Sequence, residues 1–381
     1  MVNQDRLADL FKFLVKIDSV SKEEADISLE IQKILKSMGA EIIIDNAGEK
    51  IGANTGNLIA RFKGTVAAPP IMMNAHMDTV EPGRGVKPVF KDGIFTSDGT
   101  TILGADDKSA IAVLIEAVRS LQENNIPHSP VELVLTICEE IGLHGAKNMD
   151  YSLIKSKYGY ALDAPNTEGI ITRAPGANKF EIKIHGKEAH SGAAPEKGIN
   201  AIAIAAQAIS MVKMGRIDPD TTCNIGTIKG GTATNIVPNL VVMKGEVRSH
   251  DPEKLKNVTE EIFAVFKNTV ETHKASPDAQ LPRVEIELEN DFSRTVISED
   301  NPVVVLAVKA AQNLGKKLLP VTTGGGADAN IFFEKGIDIG VLGTGMTDMH
   351  TVNESVAMKD MAGMVELIIE IIKLHTAMDN G

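Results

Sequence analysis

At 381 residues, with 43% hydrophobic and 24% charged side chains, the chain is longer than a single core usually grows, so two domains are expected. Its net charge of −12 argues against a nucleic-acid or anionic-membrane partner, and part of that excess fits the offsetting of bound cations. Two cysteines exclude a disulfide framework; with no basic-then-apolar start and no apolar run of membrane-spanning length, the chain reads as cytosolic.

Leu7, Leu10, Phe11, Leu14 and Val15 recur at helical spacing, and Ser21 with Glu24 forms a capping-box pattern opening a second helix that Gly39 ends. Apolar runs at 41–44, 57–62 and 71–74 predict strands, followed by a helix over about 108–122. A strand at 131–138 closes on the pair Glu139-Glu140, and a short one covers 158–162. Strands alternating with helices imply an α/β fold, a mostly parallel sheet covered by helices.

The middle section has another rhythm. Residues 179–185 alternate apolar and polar, 199–212 are helical, 223–228 and 240–247 are strands, 252–273 form a long helix capped by Asp251, and 284–288 close the set. The order βαββαβ is that of a split βαβ, ferredoxin-like α+β sandwich. The first pattern then resumes with a helix at 302–314, a strand at 318–321, a helix at 327–333, a strand at 339–342 and an amphipathic helix at 358–374. Residues 1–173 and 291–381 are therefore assigned to one domain, and 174–290 to a second inserted in it.

Chemistry-bearing residues gather at equivalent places in the outer pattern: His76 and Asp78, Asp106-Asp107, Glu139-Glu140, Asp163 and His350 lie at strand ends or in loops before helices. An open α/β sheet places its ligand site there. Two imidazoles and several carboxylates on one edge suit a pair of divalent ions, with one carboxylate left to handle a proton. Asp78, two residues after His76, is placed to hold the ring by its other nitrogen, and Asp106 is suited to bridging. Glu139 and Glu140 point differently, so one can ligate while the other serves as a base. Singly, each has an ordinary reading as a core histidine, a helix cap or a solvated acidic turn. The ordered set does not.

The segments Asn74-Ala75-His76-Met77-Asp78-Thr79-Val80, Gly104-Ala105-Asp106-Asp107-Lys108, Cys138-Glu139-Glu140, Leu162-Asp163 and His350-Thr351 resemble, in order, the motifs of the co-catalytic zinc metallopeptidases, the family that includes peptidase T, aminoacylase and the glutamate carboxypeptidases. The resemblance covers essentially the whole chain. It implies that His76 and Asp163 bind one zinc, Glu140 and His350 the other, that Asp106 bridges them, that Asp78 orients His76, and that Glu139 is the general base. It also implies two divalent ions, zinc by preference with cobalt or manganese accepted.

The inserted domain carries family-like residues as well. Glu188-Ala189-His190-Ser191-Gly192 resembles the lid motif whose histidine contacts the reacting carbonyl, which assigns His190 to oxyanion stabilisation. Gly230 to Asn235 and Gly245 to Arg248 resemble substrate-binding lid elements, with Asn235 and Arg248 as the contacts. An arginine suits a peptide carboxylate through two parallel hydrogen bonds. The run Gly324-Gly325-Gly326 before a helix is suited to holding a substrate anion on backbone N–H groups, and it lacks the dinucleotide glycine pattern.

The motifs are similar to those of peptidase T and its relatives, because position 163 is aspartate as in the aminopeptidase branches. The resemblance therefore implies a cytoplasmic aminopeptidase on short peptides, of tripeptide type, with homodimers formed through the lid. The alternatives are an N-acyl amino acid deacylase or carboxypeptidase on the same fold, and a catalytically silent metal-binding relative.

Overall fold

The computed structural model describes residues 2–378, which divide into two compact units. Residues 2–173, 296–322 and 327–378 make the first; Ala174–Thr295 with Thr323–Gly326 make the second.

The first unit is built on a mixed sheet whose strands follow the order Glu41–Ile44, Leu58–Phe62, Val131–Thr136, Ile71–His76, Tyr158–Ala161, Asp338–Leu342, Gly169–Ala174. From Val131–Thr136 to Asp338–Leu342 the four neighbours run parallel, and the flanking pairs are antiparallel. Every residue of Ile71–His76 and Val131–Thr136 is buried, as expected for parallel strands covered on both faces. Helix Ala105–Glu123 supplies much of that cover, with Ile111, Leu114, Ile115 and Val118 in one core with Phe11 and Leu14 of helix Gln4–Val15 and Val365 and Ile368 of helix Met358–Met378. His76 ends its strand, Glu139 and Glu140 follow Thr136 by a few residues, and Asp163 follows Ala161, so the parallel register delivers all of them to one edge.

Two expectations need correction. The Ser21–Glu24 capping box does not form: helix Ala25–Ser37 begins with Glu24 at its cap without a side-chain bond. The Ser21 hydroxyl donates instead to Asp78 Oδ2 at 2.6 Å, and Glu24 Oε1 accepts the N–H groups of Lys22 and Cys138, each at 3.0 Å. Buried acceptors and donors at the sheet edge outbid a solvent-exposed cap, since an unpaired polar group there costs more. The second correction is an omission. Strands Val89–Lys91, Ile94–Thr96, Met346–Thr347 and Ser355–Ala357 form a small separate sheet, too short to leave a period in the sequence.

The second unit is a five-stranded antiparallel sheet, ordered Gly215–Asp218, Thr221–Gly230, Leu240–Ser249, Gly176–His185, Arg283–Phe292. Ile182 and Ile184 face Ile204 and Ala208 of helix Ala201–Met211 and Ile262 and Phe266 of helix Pro252–Thr272 in one core. The short strand Gly215–Asp218 is added to the expected βαββαβ order. Among the described residues, no helix is long and apolar enough to cross a membrane.

Candidate metal centre

In the first unit, Asp106 stands between two histidines from opposite ends of the chain. Its Oδ1 lies 3.0 Å from His76 Nε2 and its Oδ2 lies 3.3 Å from His350 Nε2. The second face of His350 Nε2 meets Glu140, with Oε2 at 3.0 Å and Oε1 at 3.1 Å. Ligand atoms of His76, Asp106 and Glu140 all fall within 4.8 Å of one another, a spacing able to enclose an ion.

Asp78 organises the surrounding backbone. The other ring nitrogen of His76, Nδ1, lies 2.9 Å from the backbone carbonyl of Asp78 and 3.4 Å from its carboxylate, so the carbonyl is the nearer partner and fixes the tautomer with the proton on Nδ1. The carboxylate accepts the N–H of Glu139 at 2.9 Å and of Glu140 at 3.2 Å, besides the Ser21 hydroxyl. Those two amides turn toward it because Cys138, with φ of +52°, takes a left-handed conformation that a β-carbon disfavours. The N–H of His76 is itself held by Asp107 Oδ2 at 3.2 Å.

Electrostatics separate the members. Burial alone would raise Asp106, but hydrogen bonds from His350 and His76 outweigh it and hold its carboxyl well below the usual range. Burial likewise opposes the charged form of His76, yet Asp106 and Asp78 push it well above its ordinary value. Hydrogen bonds with Asp106 and Glu140 raise His350 to about 10. Glu139 is pushed well above the carboxylate range by burial and then by Asp163, which is itself raised to about 7 by burial and by Asp106. Asp328, whose Oδ2 accepts the Thr136 hydroxyl, is raised to about 6, chiefly by burial. A buried cluster in which burial raises Glu139, Asp163 and Asp328 together is short of positive charge. The donor set of imidazole nitrogens and carboxylate oxygens therefore fits divalent ions of the zinc type.

Asp163 interacts electrostatically with Asp106 and Glu139, whereas the atoms spaced to share one ion are those of His76, Asp106 and Glu140. His190, Asn235, Arg248, Gly325 and Gly326 belong to the second unit. There the Nδ1 of His190 accepts the N–H groups of Gly192 and Ala193, both at 3.2 Å, which leaves the ring proton on Nε2. The carbonyl of Asn235 accepts the N–H of Ser191 at 3.0 Å, joining two of the lid motifs. Arg248 is held by Glu246, Nε to Oε1 and an Nη to Oε2, both at 3.1 Å. The N–H of Gly325 is taken by the Thr323 hydroxyl at 3.1 Å, and a β-carbon at Gly326 would fall 2.2 Å from the Phe292 ring, so packing requires that glycine.

Sequence reading missed Glu354, Glu24 and Asp328. All three are buried at the site's margin and bind backbone or hydroxyl groups that only the folded chain brings together. Glu354 follows His350 by four residues, a spacing that alone carries no signal.

The model of the peptidase dimerisation domain matches residues 172–274, and that of peptidase family M28 matches residues 57–189. The chain is 42% identical to YqjE of Bacillus subtilis over 374 residues, covering 98% of this chain and 99% of that protein. It superposes on the crystal structure of aminopeptidase PepT from Bacillus cereus with a TM-score of 0.86 at 40% identity, covering 99% of each chain. A tripeptidase from Staphylococcus aureus gives a TM-score of 0.91 at 36% identity, over 99% of this chain and 100% of that one.

Proposed function

The chain belongs to the peptidase T-like members of the co-catalytic metallopeptidase family, and from that premise we propose that it is a two-metal aminopeptidase of the tripeptide type. It is a hydrolase of peptide bonds. The observation that supports the metal reading most is Asp106, whose two oxygens each face a different histidine Nε2. In this reading His76 and Asp163 hold one ion, Glu140 and His350 the other, and Asp106 bridges them. Zinc suits these donors, with cobalt or manganese as substitutes.

Bound ions supply a lowered proton affinity of the attacking water and a polarised scissile carbonyl. Glu139 receives the proton from that water and delivers it to the leaving nitrogen, and burial raises its affinity for that proton above that of an ordinary carboxylate. Asp78 fixes both the His76 ring and the backbone of Glu139. His190 is assigned oxyanion stabilisation on its motif and on its proton-bearing Nε2. Asn235, Arg248 and the Gly325-Gly326 loop are assigned to substrate binding.

Asp163 favours the aminopeptidase over the deacylase and carboxypeptidase readings. We further assign substrate recognition and homodimer formation to the second unit, which carries the dimerisation-domain match. The free, buried Cys138 and Cys223 support a reducing, cytosolic setting. Hydrolysis of di-, tri- and tetrapeptides with free or blocked termini, alongside N-acetylated amino acids, tests the substrate class after metal reconstitution. Fast cleavage of N-acetyl amino acids with slow cleavage of free tripeptides would overturn it.

A further inference from the structure

Helix Ala105–Glu123 opens beside the metal centre without a cap of its own. Its cap residue is Gly104, in the left-handed region with φ of +75°, which offers no side chain to the first N–H groups. The acceptor arrives from the far end of the chain. The buried carboxylate of Glu354 accepts the N–H of Leu103 at 2.8 Å and of Gly104 at 2.7 Å on Oε2, and that of Asp106 at 2.9 Å on Oε1. Asp106 itself is non-helical, with φ of −82° and ψ of 101°, so helix geometry does not orient its side chain. The bond that its own N–H donates to Glu354 fixes the backbone from which that side chain projects.

Glu354 also closes a turn, donating its N–H to the carbonyl of Thr351 at 3.1 Å. The segment from His350 to Glu354 thus brings an imidazole to Asp106 Oδ2 while gripping the Asp106 backbone. A bridging carboxylate has to present both oxygens in fixed directions, and groups that orient a ligand matter nearly as much as the ligand. A carboxylate is costly to bury, and the three N–H groups compensate it.

We propose that Glu354 is the positioning residue that sets Asp106 as the bridge between two ions. The proposal rests on the two-metal reading above. It separates the roles of the acidic residues in this loop region: Asp106 meets the ions, and the Glu354 carboxylate holds the backbone of Asp106 and its neighbours.

The test is metal titration of chelator-treated protein with Co(II), followed by calorimetry and by electron paramagnetic resonance for coupling between the two ions. In Glu354→Gln the carbonyl oxygen can stay on Leu103 and Gly104, but the amide NH₂ then faces the N–H of Asp106, two donors opposed. The expected result is a first ion bound as in the wild type, a second bound about 10- to 100-fold more weakly, and lost coupling. Glu354→Asp keeps the charge but is one methylene shorter, and is expected to weaken the second ion as well. Circular dichroism checks the fold of each. Two ions held with unchanged affinity and coupling in both variants overturn the proposal. So does parallel loss of both ions with thermal stability, or failure of both variants to fold, since a residue that serves only the fold behaves in that way. A wild type that binds fewer than two ions overturns the metal reading and this proposal with it.

Discussion

Asp78 accepts the backbone N–H of Glu139 at 2.9 Å, tying the end of one parallel strand to the start of the acidic turn that follows its neighbour. The same residue holds the His76 ring by its backbone carbonyl. Its side chain therefore governs where Glu139, the proposed base, stands, while its main chain governs His76, the proposed ligand.

Asp78→Asn separates these jobs. The carbonyl bond to His76 survives, but one carboxylate oxygen becomes an NH₂ facing a backbone N–H or the Ser21 hydroxyl, so the turn at Glu139 loosens. Turnover is expected to fall about 10- to 100-fold, as for loss of a partner that orients a ligand, with both ions retained. Steady-state kinetics with elemental analysis checks this; wild-type kcat in the variant would show that the acidic turn holds itself.

Glu139→Gln is expected to keep both ions and lose a factor of about 10² to 10⁴ in kcat, because the amide has the shape of the acid but cannot take a proton. The pairing of readouts matters, since Glu139 sits next to a proposed ligand. A variant with two ions and undiminished turnover contradicts the base assignment.

The sequence announces these residues because metal chemistry demands particular side chains at strand ends, and strand ends can be placed from apolar runs such as 131–138. The supports are another matter. Glu354 serves amides 248 to 251 positions away, and Ser21 leaves a local capping pattern for a carboxylate 57 positions on. No local period encodes such pairings. Short elements escaped for a related reason: a three-residue strand such as Ile94–Thr96 is stabilised by its neighbours, not by its own pattern.

Metal loading should release protons. Hydrogen bonds with Asp106 and Glu140 raise His350 to about 10 from an ordinary 6.5, and His76 is also pushed well above that value although burial opposes it. In the metal-free protein the His350 pairs stabilise the fold fully below the unfolded value, and that contribution is lost as pH rises through about 10. Ions require the neutral imidazoles, so they compete with protons throughout that window and bind more tightly as pH rises. At pH 7, zinc titration in two buffers of different ionisation enthalpy should show net proton release as both histidines, and Asp163 raised to about 7, become ligands. Absence of proton release would mean that the histidines are already neutral, or that they do not ligate.

Arg248 offers the sharpest test of peptide-length selection. Its guanidinium is occupied by Glu246 through two parallel contacts at 3.1 Å, with a longer one of 3.5 Å to the Gly324 carbonyl. Glu246 holds the fork in one orientation, and a substrate carboxylate has to be recognised by the donors that remain. If Arg248 reads the C-terminal carboxylate, Arg248→Ala should raise KM strongly for free-acid tripeptides and little for the matching C-terminal amides, with metal content unchanged. A charge-assisted pair of this kind contributes about 1.5–3 kcal/mol, so the difference between the two substrates should be on the order of 10- to 100-fold. Because Glu246 is also an acceptor for that fork, Glu246→Gln should leave the arginine freer and shift KM for free acids, not for amides. Equal losses on acids and amides in Arg248→Ala would remove the carboxylate from its role. The proposed selectivity for tripeptides would then have to rest on something other than that charge.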